Sequence, residues 1–189
     1  MTFIGTRDAI AFPADLPALP RPSRVVVLAD MDALSHGLAE GSGASRATDA
    51  CVSAALEQVL LTVTRLGSRQ CPTRWAASSA TARYHLDLMT HSANNVWSIR
   101  TGRDGADHVL LEELEYITAA TMSGHRGKNP ARPADLVILI GGDHIYATAI
   151  RRLRLLGVPT WVLQPGRFIA ADLYKAATAV TRLALPTAA

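Results

Sequence analysis

Two stretches of the chain, RVVVLAD (24–30) and DLVILIGGD (135–143), are apolar over strand length without the alternation of a half-exposed strand. Uninterrupted aliphatic runs of this length mark strands covered on both faces, and such strands belong mainly to parallel sheets clothed by helices. VPTWVLQ (158–164) reads as a further strand. Between them the period changes. Residues 48–66 place Val52, Leu56, Val59, Leu60 and Val63 on one helical face, closed by Gly67. A short strand at 73–77, a helix at 81–90, a strand at 95–99 and a helix at 105–122 follow. After the breaker-rich loop SGHRGKNPARP come the strand of 135–140, a helix at 144–157, the strand of 158–164 and a last helix at 170–183. Alternating strands and helices predict an α/β domain with about five mostly parallel strands.

Residues 1–23 carry Pro13, Pro17, Pro20 and Pro22 with little periodicity and read as an extended arm outside any helix or central strand, ahead of a domain over 24–185. With 189 residues, 49% apolar and 19% charged, the sequence suits one ordinary globular domain. No apolar stretch nears the roughly 20 residues that span a bilayer, and the first residues lack the basic-then-apolar layout of a secretory signal, so a cytoplasmic location is expected. Cys51 and Cys71 have no CxxC or His partner at metal spacing and are expected to be buried, reduced thiols. The net charge of +3 permits an anionic partner without demanding one.

In a parallel sheet wrapped by helices, ligands bind at the carboxyl ends of the strands. Asp30 and Asp32 follow the first strand, Asp104 and Asp107 the third, and Asp143 the fourth. Asp107 also shares a helix face with Leu110, Leu111 and Leu114, so its carboxylate points toward apolar packing and asks for a partner. Asp143 is placed to cap the following helix, which is compatible with ligating an ion. Clustered carboxylates repel one another unless protonated or neutralised by a cation, and oxygen donors suit Mg²⁺ or Mn²⁺. Metal-assisted attack of water on a phosphodiester is the chemistry such a site serves. Arg46, Arg83, Arg103 and Arg167, on the same rim, are the candidates for phosphate contacts. The basic loop HRGKNPAR is expected at the opposite end of the sheet. No P-loop, GxGxxG or GxSxG motif is present.

The segment DLVILIGGDHIYATAIRRLRLLGVPTWVL (135–163) resembles the strand, Gly-Asp turn, helix and strand of NYN domains, a branch of the PIN-like nuclease superfamily. VVVLADMDAL and GADHVLLEEL are similar to that family's other two Asp-bearing segments. The resemblance covers roughly 24–183. It implies a PIN-like three-layer sandwich and a Mg²⁺- or Mn²⁺-dependent ribonuclease, with Asp30, Asp107 and Asp143 as catalytic metal ligands and RNA as partner. Two positions depart from the pattern: Ala33 where Asn is frequent, and Ile145 where a second Asp is usual. Asp32 or Asp104 is the expected replacement for the missing acid.

Two other readings stand beside it. One is a binding module for nucleic acid or protein that keeps this fold without its chemistry, as a homo-oligomer or within a larger complex. The other is a haloacid-dehalogenase-like phosphatase, which LADMD and ILIGGD resemble; Asp30 would be its nucleophile and Asp32 its acid/base. Against it, the second acid would be Ala147 and the essential Lys only Lys128, on the wrong rim.

Overall fold

The computed structural model describes residues 10–14, 16, 22, 24–40, 42–91, 96–102, 104–124 and 133–183. Its centre is β1 (Val25–Asp30), every residue of which is buried, as the unbroken apolar run requires. β2 (Thr73–Ser78) pairs with it on one side and β4 (Leu136–Ile140) on the other, both parallel. β3 (Val96–Arg100) extends the sheet beyond β2; β5 (Thr160–Gln164) and β6 (Ala179–Arg182) extend it beyond β4. The result is one six-stranded, all-parallel sheet in the order β3-β2-β1-β4-β5-β6.

Period-2 alternation divides the core between the two faces of the sheet. Val25, Val27 and Ala29 of β1 and Leu136, Ile138 and Ile140 of β4 face α1 (Met31–Ala39) and α2 (Asp49–Arg65), meeting Met31, Leu34, Val52 and Leu56. Val26, Leu28, Val137 and Leu139 face α5 (Gly105–Gly124), α6 (Ala147–Leu155) and α7 (Ala171–Ala176), meeting Leu110, Leu114, Ile150 and Leu173. Helices on both faces of a buried sheet make the three-layer α/β sandwich expected. Of the proline-rich arm, the described residues belong to no helix or strand: Leu16 is buried in the first core, and Ile10 donates its N–H to Thr62 Oγ1 at 2.9 Å.

Four details differ from expectation. The sheet has six strands, one more than expected, because the end of the chain does not stay helical. The Ala-rich 170–183 segment forms only the six residues of α7, then turns at Ala177 and lays β6 beside β5. Its β-branched Thr178, Val180 and Thr181 find a free strand edge there, and tertiary pairing overrides the helical preference of alanine. Residues 31–39 form α1, which the sequence pattern did not mark because Gly37 interrupts it. The helix expected at 81–90 is two short ones, α3 (Ser79–Tyr84) and α4 (Leu86–His91), broken at His85. Of the two thiols, both free, Cys51 is half-buried and Cys71 is exposed.

Candidate active site

The chain runs outward from β1 through β2 to β3, returns by way of α5 to β4, and continues the other way. β1 and β4 are therefore neighbours whose following segments leave toward opposite faces, and the gap outside their carboxyl ends is the crevice where α/β sheets bind ligands. A cleft of about 550 Å³ lies there. Its walls carry six carboxylates, those of Asp30, Asp32, Glu40, Asp104, Asp107 and Asp143, together with His36. Asp30, Asp107 and Asp143, named from three separate strand ends, are thus brought into one cavity.

Asp30 closes β1 and caps α1: its Oδ1 accepts the Ala33 N–H at 2.9 Å, satisfying one of the open donors of the helix. Only 4% of the residue is exposed. Burial raises the carboxyl to about 7, the nearby charges of Asp107 and Asp32 push the same way, and the hydrogen bonds from Ala33 and Tyr146 oppose them. Asp107, in the first turn of α5, is half-buried and is likewise raised, first by burial and then by Asp143 and Asp104.

Between these two carboxylates stands a residue that sequence reasoning missed. The buried Tyr146 hydroxyl lies 3.1 Å from Asp30 Oδ2 and 2.5 Å from Asp107 Oδ1. Burial and the two carboxylates push its pKa far above that of a free phenol, so it remains a neutral donor. A phenol has one proton to donate. It satisfies one carboxylate at a time, and the other is satisfied best when it holds a proton, in keeping with the raised Asp30. Tyr146 sits where the helix expected at 144–157 starts as a 3-10 turn, His144–Tyr146, so a residue read as one more helical position is turned inward.

Asp143 caps that turn, accepting the Ile145 N–H at 3.3 Å, and pairs with His144 Nδ1 at 2.5 Å. Capping and a place in the cleft coexist, as expected. Ile145, where the resemblance called for another acid, is partly buried against the α5–α6–α7 core. Asp32 is held from the other side, its Oδ1 accepting the Ser78 N–H at 3.1 Å and the Ser78 hydroxyl at 3.0 Å. Asp104 adopts φ 61°, a left-handed conformation that residues with side chains seldom occupy.

Glu40 and His36 were also missed, although a signal existed. Asp32, His36 and Glu40 are four apart, and on a helix that spacing puts all three on one face. The signal was hidden with α1 itself. Glu40 Oε2 accepts the Arg167 N–H at 2.6 Å and so fixes the loop after β5 against the cleft.

The arginines divide. Arg83 lines a second cleft of about 500 Å³, which shares Asp32 and Asp104 with the first. Arg46 lies over the Tyr84 ring, 5.6 Å from its centroid, and does not line the carboxylate cleft. Arg167 is exposed in the loop beside the cleft, whose lining includes Gly166 and Phe168. Arg103, Lys128 and the HRGKNPAR loop lie outside the described residues.

The donor set is one of hard oxygens, suited to Mg²⁺ or Mn²⁺. Among the described residues, no three His, Cys, Asp or Glu side chains are gathered into a ready-made metal cage. Tyr146 occupies the space between two of the carboxylates, and Asp143 is turned to its own cap. No helix among the described residues is long and apolar enough to cross a membrane.

No protein-family model matches the sequence, and no curated protein does. Among solved structures, the fold is similar to that of a Vibrio parahaemolyticus protein described as being of unknown function, with a TM-score of 0.55 and 14% identity over 87% of this chain and 95% of that one. At that identity the similarity speaks to the fold, an α/β sandwich built on a parallel sheet.

Proposed function

We propose that this cleft is a Mg²⁺- or Mn²⁺-dependent ribonuclease site of the NYN type. The observation that supports the reading best is the meeting of carboxylates from β1 and α1, from α5 and from the β4–α6 turn at one switch-point crevice, with Asp30 raised to about 7 by burial and by its acidic neighbours. A cation relieves that repulsion while leaving the carboxylates ionised, which a proton does not. Asp30, Asp107 and Asp143 would hold the ion directly or through its waters, with Asp32 and Asp104 as further donors. When bound, the ion orients and acidifies a water and neutralises charge developing on the phosphate.

The protein's own part is positional. The Ala33 N–H and the Tyr146 hydroxyl fix the Asp30 carboxylate, and Ser78 fixes Asp32. Asp107 and Asp143 would exchange the Tyr146 hydroxyl and the His144 pairing, respectively, for an ion. Cleavage of assorted single-stranded and structured RNAs with Mn²⁺ tests the reading. Asp143→Asn should lower kcat/KM by roughly 100-fold or more, since even partners one step removed from a metal cost about 10–100-fold when lost. Wild type as inactive as the variant across varied RNAs would sink it.

A non-catalytic nucleic-acid or protein-binding module is the second reading, favoured by one observation: Ile145, where the resemblance calls for a second acid, packs against the apolar core. Wild type that binds RNA without cutting it, with Mn²⁺ present, would favour this reading over the nuclease. The phosphatase reading loses support at Ala147, which is 4% exposed and packed in the core where a second acid would be needed.

A further inference from the structure

A cleft lined by six carboxylates repels a polyanion except where a cation intervenes, so most of an RNA's affinity has to come from contacts that do not depend on its phosphates. Among the described residues lining the cleft, one is Phe, Tyr or Trp: Phe168, 84% exposed. Its backbone is not free to fold the ring away. The loop beneath it is tied at Gly166, whose carbonyl accepts the Gln164 side-chain N–H at 2.9 Å, and at Arg167, whose N–H goes to Glu40 at 2.6 Å. Just after it, Ala170 donates to the Gly142 carbonyl at 2.8 Å, and a methyl group on Gly142 would come within 3.0 Å of the Phe168 carbonyl oxygen. A large, exposed apolar ring is thus carried at the wall of the carboxylate cleft by a braced loop. The second cleft adjoins the first, sharing Asp32 and Asp104 and carrying Arg83.

We propose that Phe168 is a base-stacking residue: an unpaired RNA strand lies across both clefts with one base on the Phe168 ring, a phosphate at Arg83, and the phosphate to be cut at the carboxylates between. The proposal rests on the ribonuclease reading and adds to it the residues that position the strand. A π-face accepts any base, so the contact gives affinity and register without base preference. Among the described residues, Arg83 is the one positive side chain lining the second cleft, and it serves the backbone.

Steady-state cleavage of a short single-stranded RNA with Mn²⁺ tests this with wild type, Phe168→Ala, Phe168→Trp and Arg83→Ala, using the intact strand and strands in which one base at a time is removed. Phe168→Ala should raise KM by roughly 5- to 100-fold with kcat changed far less, and Phe168→Trp should restore it. One abasic position should cost wild type as much and cost Phe168→Ala nothing further. Arg83→Ala should raise KM and reduce the salt slope of log KM by about 0.7, one phosphate's share for a single strand. Wild-type KM in both Phe168 variants overturns the stacking while leaving the ribonuclease reading intact, as does a Phe168→Ala variant altered only in its oligomeric mass, which would make the ring a protein contact. Wild type that neither cuts nor binds RNA overturns both.

Discussion

At the scale of single residues, the carboxyl group of Asp30 decides how the apo protein responds to pH. Its folded-state pKa is raised from 3.8 to about 7, mainly by burial. For a group raised in this way, the folded chain binds a proton more tightly than the unfolded one. The resulting stability is fully present below about pH 4 and is lost as pH rises through about 7. Asp107 is shifted in the same direction. Asp30→Asn keeps an oxygen to accept the Ala33 N–H yet has no charge to bury. Without divalent cations the variant should match wild type in urea unfolding near pH 4 and exceed it at pH 8 by an amount on the order of a few kcal/mol. A wild-type stability that holds level from pH 5 to 8 relative to the variant would show that water or a shift of Tyr146 solvates the carboxylate. The substitution therefore trades the proposed chemistry for stability, the usual relation at a strained site.

At the scale of elements, α1 carries Asp32, His36 and Glu40 to the cleft, and its closeness to the loop after β5 depends on Gly37. A methyl group there would stand 2.7 Å from both the Gly166 nitrogen and the Pro165 carbonyl carbon, backbone atoms that cannot swing aside. Two effects of Gly37→Ala oppose each other. Helix propensity favours alanine by about 1 kcal/mol, while forcing atoms into a filled contact costs typically 1–3 kcal/mol. Packing should win: the variant should melt lower than wild type by a few degrees, at about 2–4 °C per kcal/mol, and RNA cleavage should fall with it because the same loop holds Phe168. A rise in melting temperature would show that the loop yields easily. This helix also marks how far the sequence could be read. β1, β4 and β5 were legible because a fully buried strand has no polar alternation to confuse it, and Asp30, Asp107 and Asp143 were legible because strand ends in a parallel sheet share one rim. Asp32, His36 and Glu40 carry a four-residue spacing, but Gly37 and the glycine-serine loop after it masked the helix that gives the spacing meaning. Tyr146 was hidden by a local geometry, a 3-10 turn, that a helical pattern does not distinguish from a regular first turn. β6 was hidden because alanine's preference for helix is weak beside an unpaired strand edge, which no local pattern reveals.

At the scale of the whole molecule, charge is distributed unevenly. The chain has nineteen Lys and Arg against sixteen Asp and Glu, yet six of those acids line the cleft and, among the described residues, no Lys or Arg does. A protein of net charge +3 thus focuses negative potential on one crevice. The crevice is formed by segments from both halves of the sheet: β1 and α1 from one, the β4–α6 turn from the other, with α5 crossing between them. An ion held there links elements that the unfolded chain cannot bring together, so its binding free energy adds to folding. At a concentration 100 times its dissociation constant, Mn²⁺ should stabilise wild type by about 2.7 kcal/mol. For a chain of this size that is a rise of roughly 5–10 °C in melting temperature. The rise should grow as pH passes upward through 7, because a cation and a proton compete for Asp30. It should shrink in Asp143→Asn and vanish in a variant combining Asp30→Asn with Asp107→Asn, which lacks both of the carboxylates that Tyr146 separates. Monovalent salt at matched ionic strength separates binding from screening. A thermal scan in which Mn²⁺ moves wild type no further than that salt does, at pH 8, would leave the carboxylates without the cation their arrangement calls for.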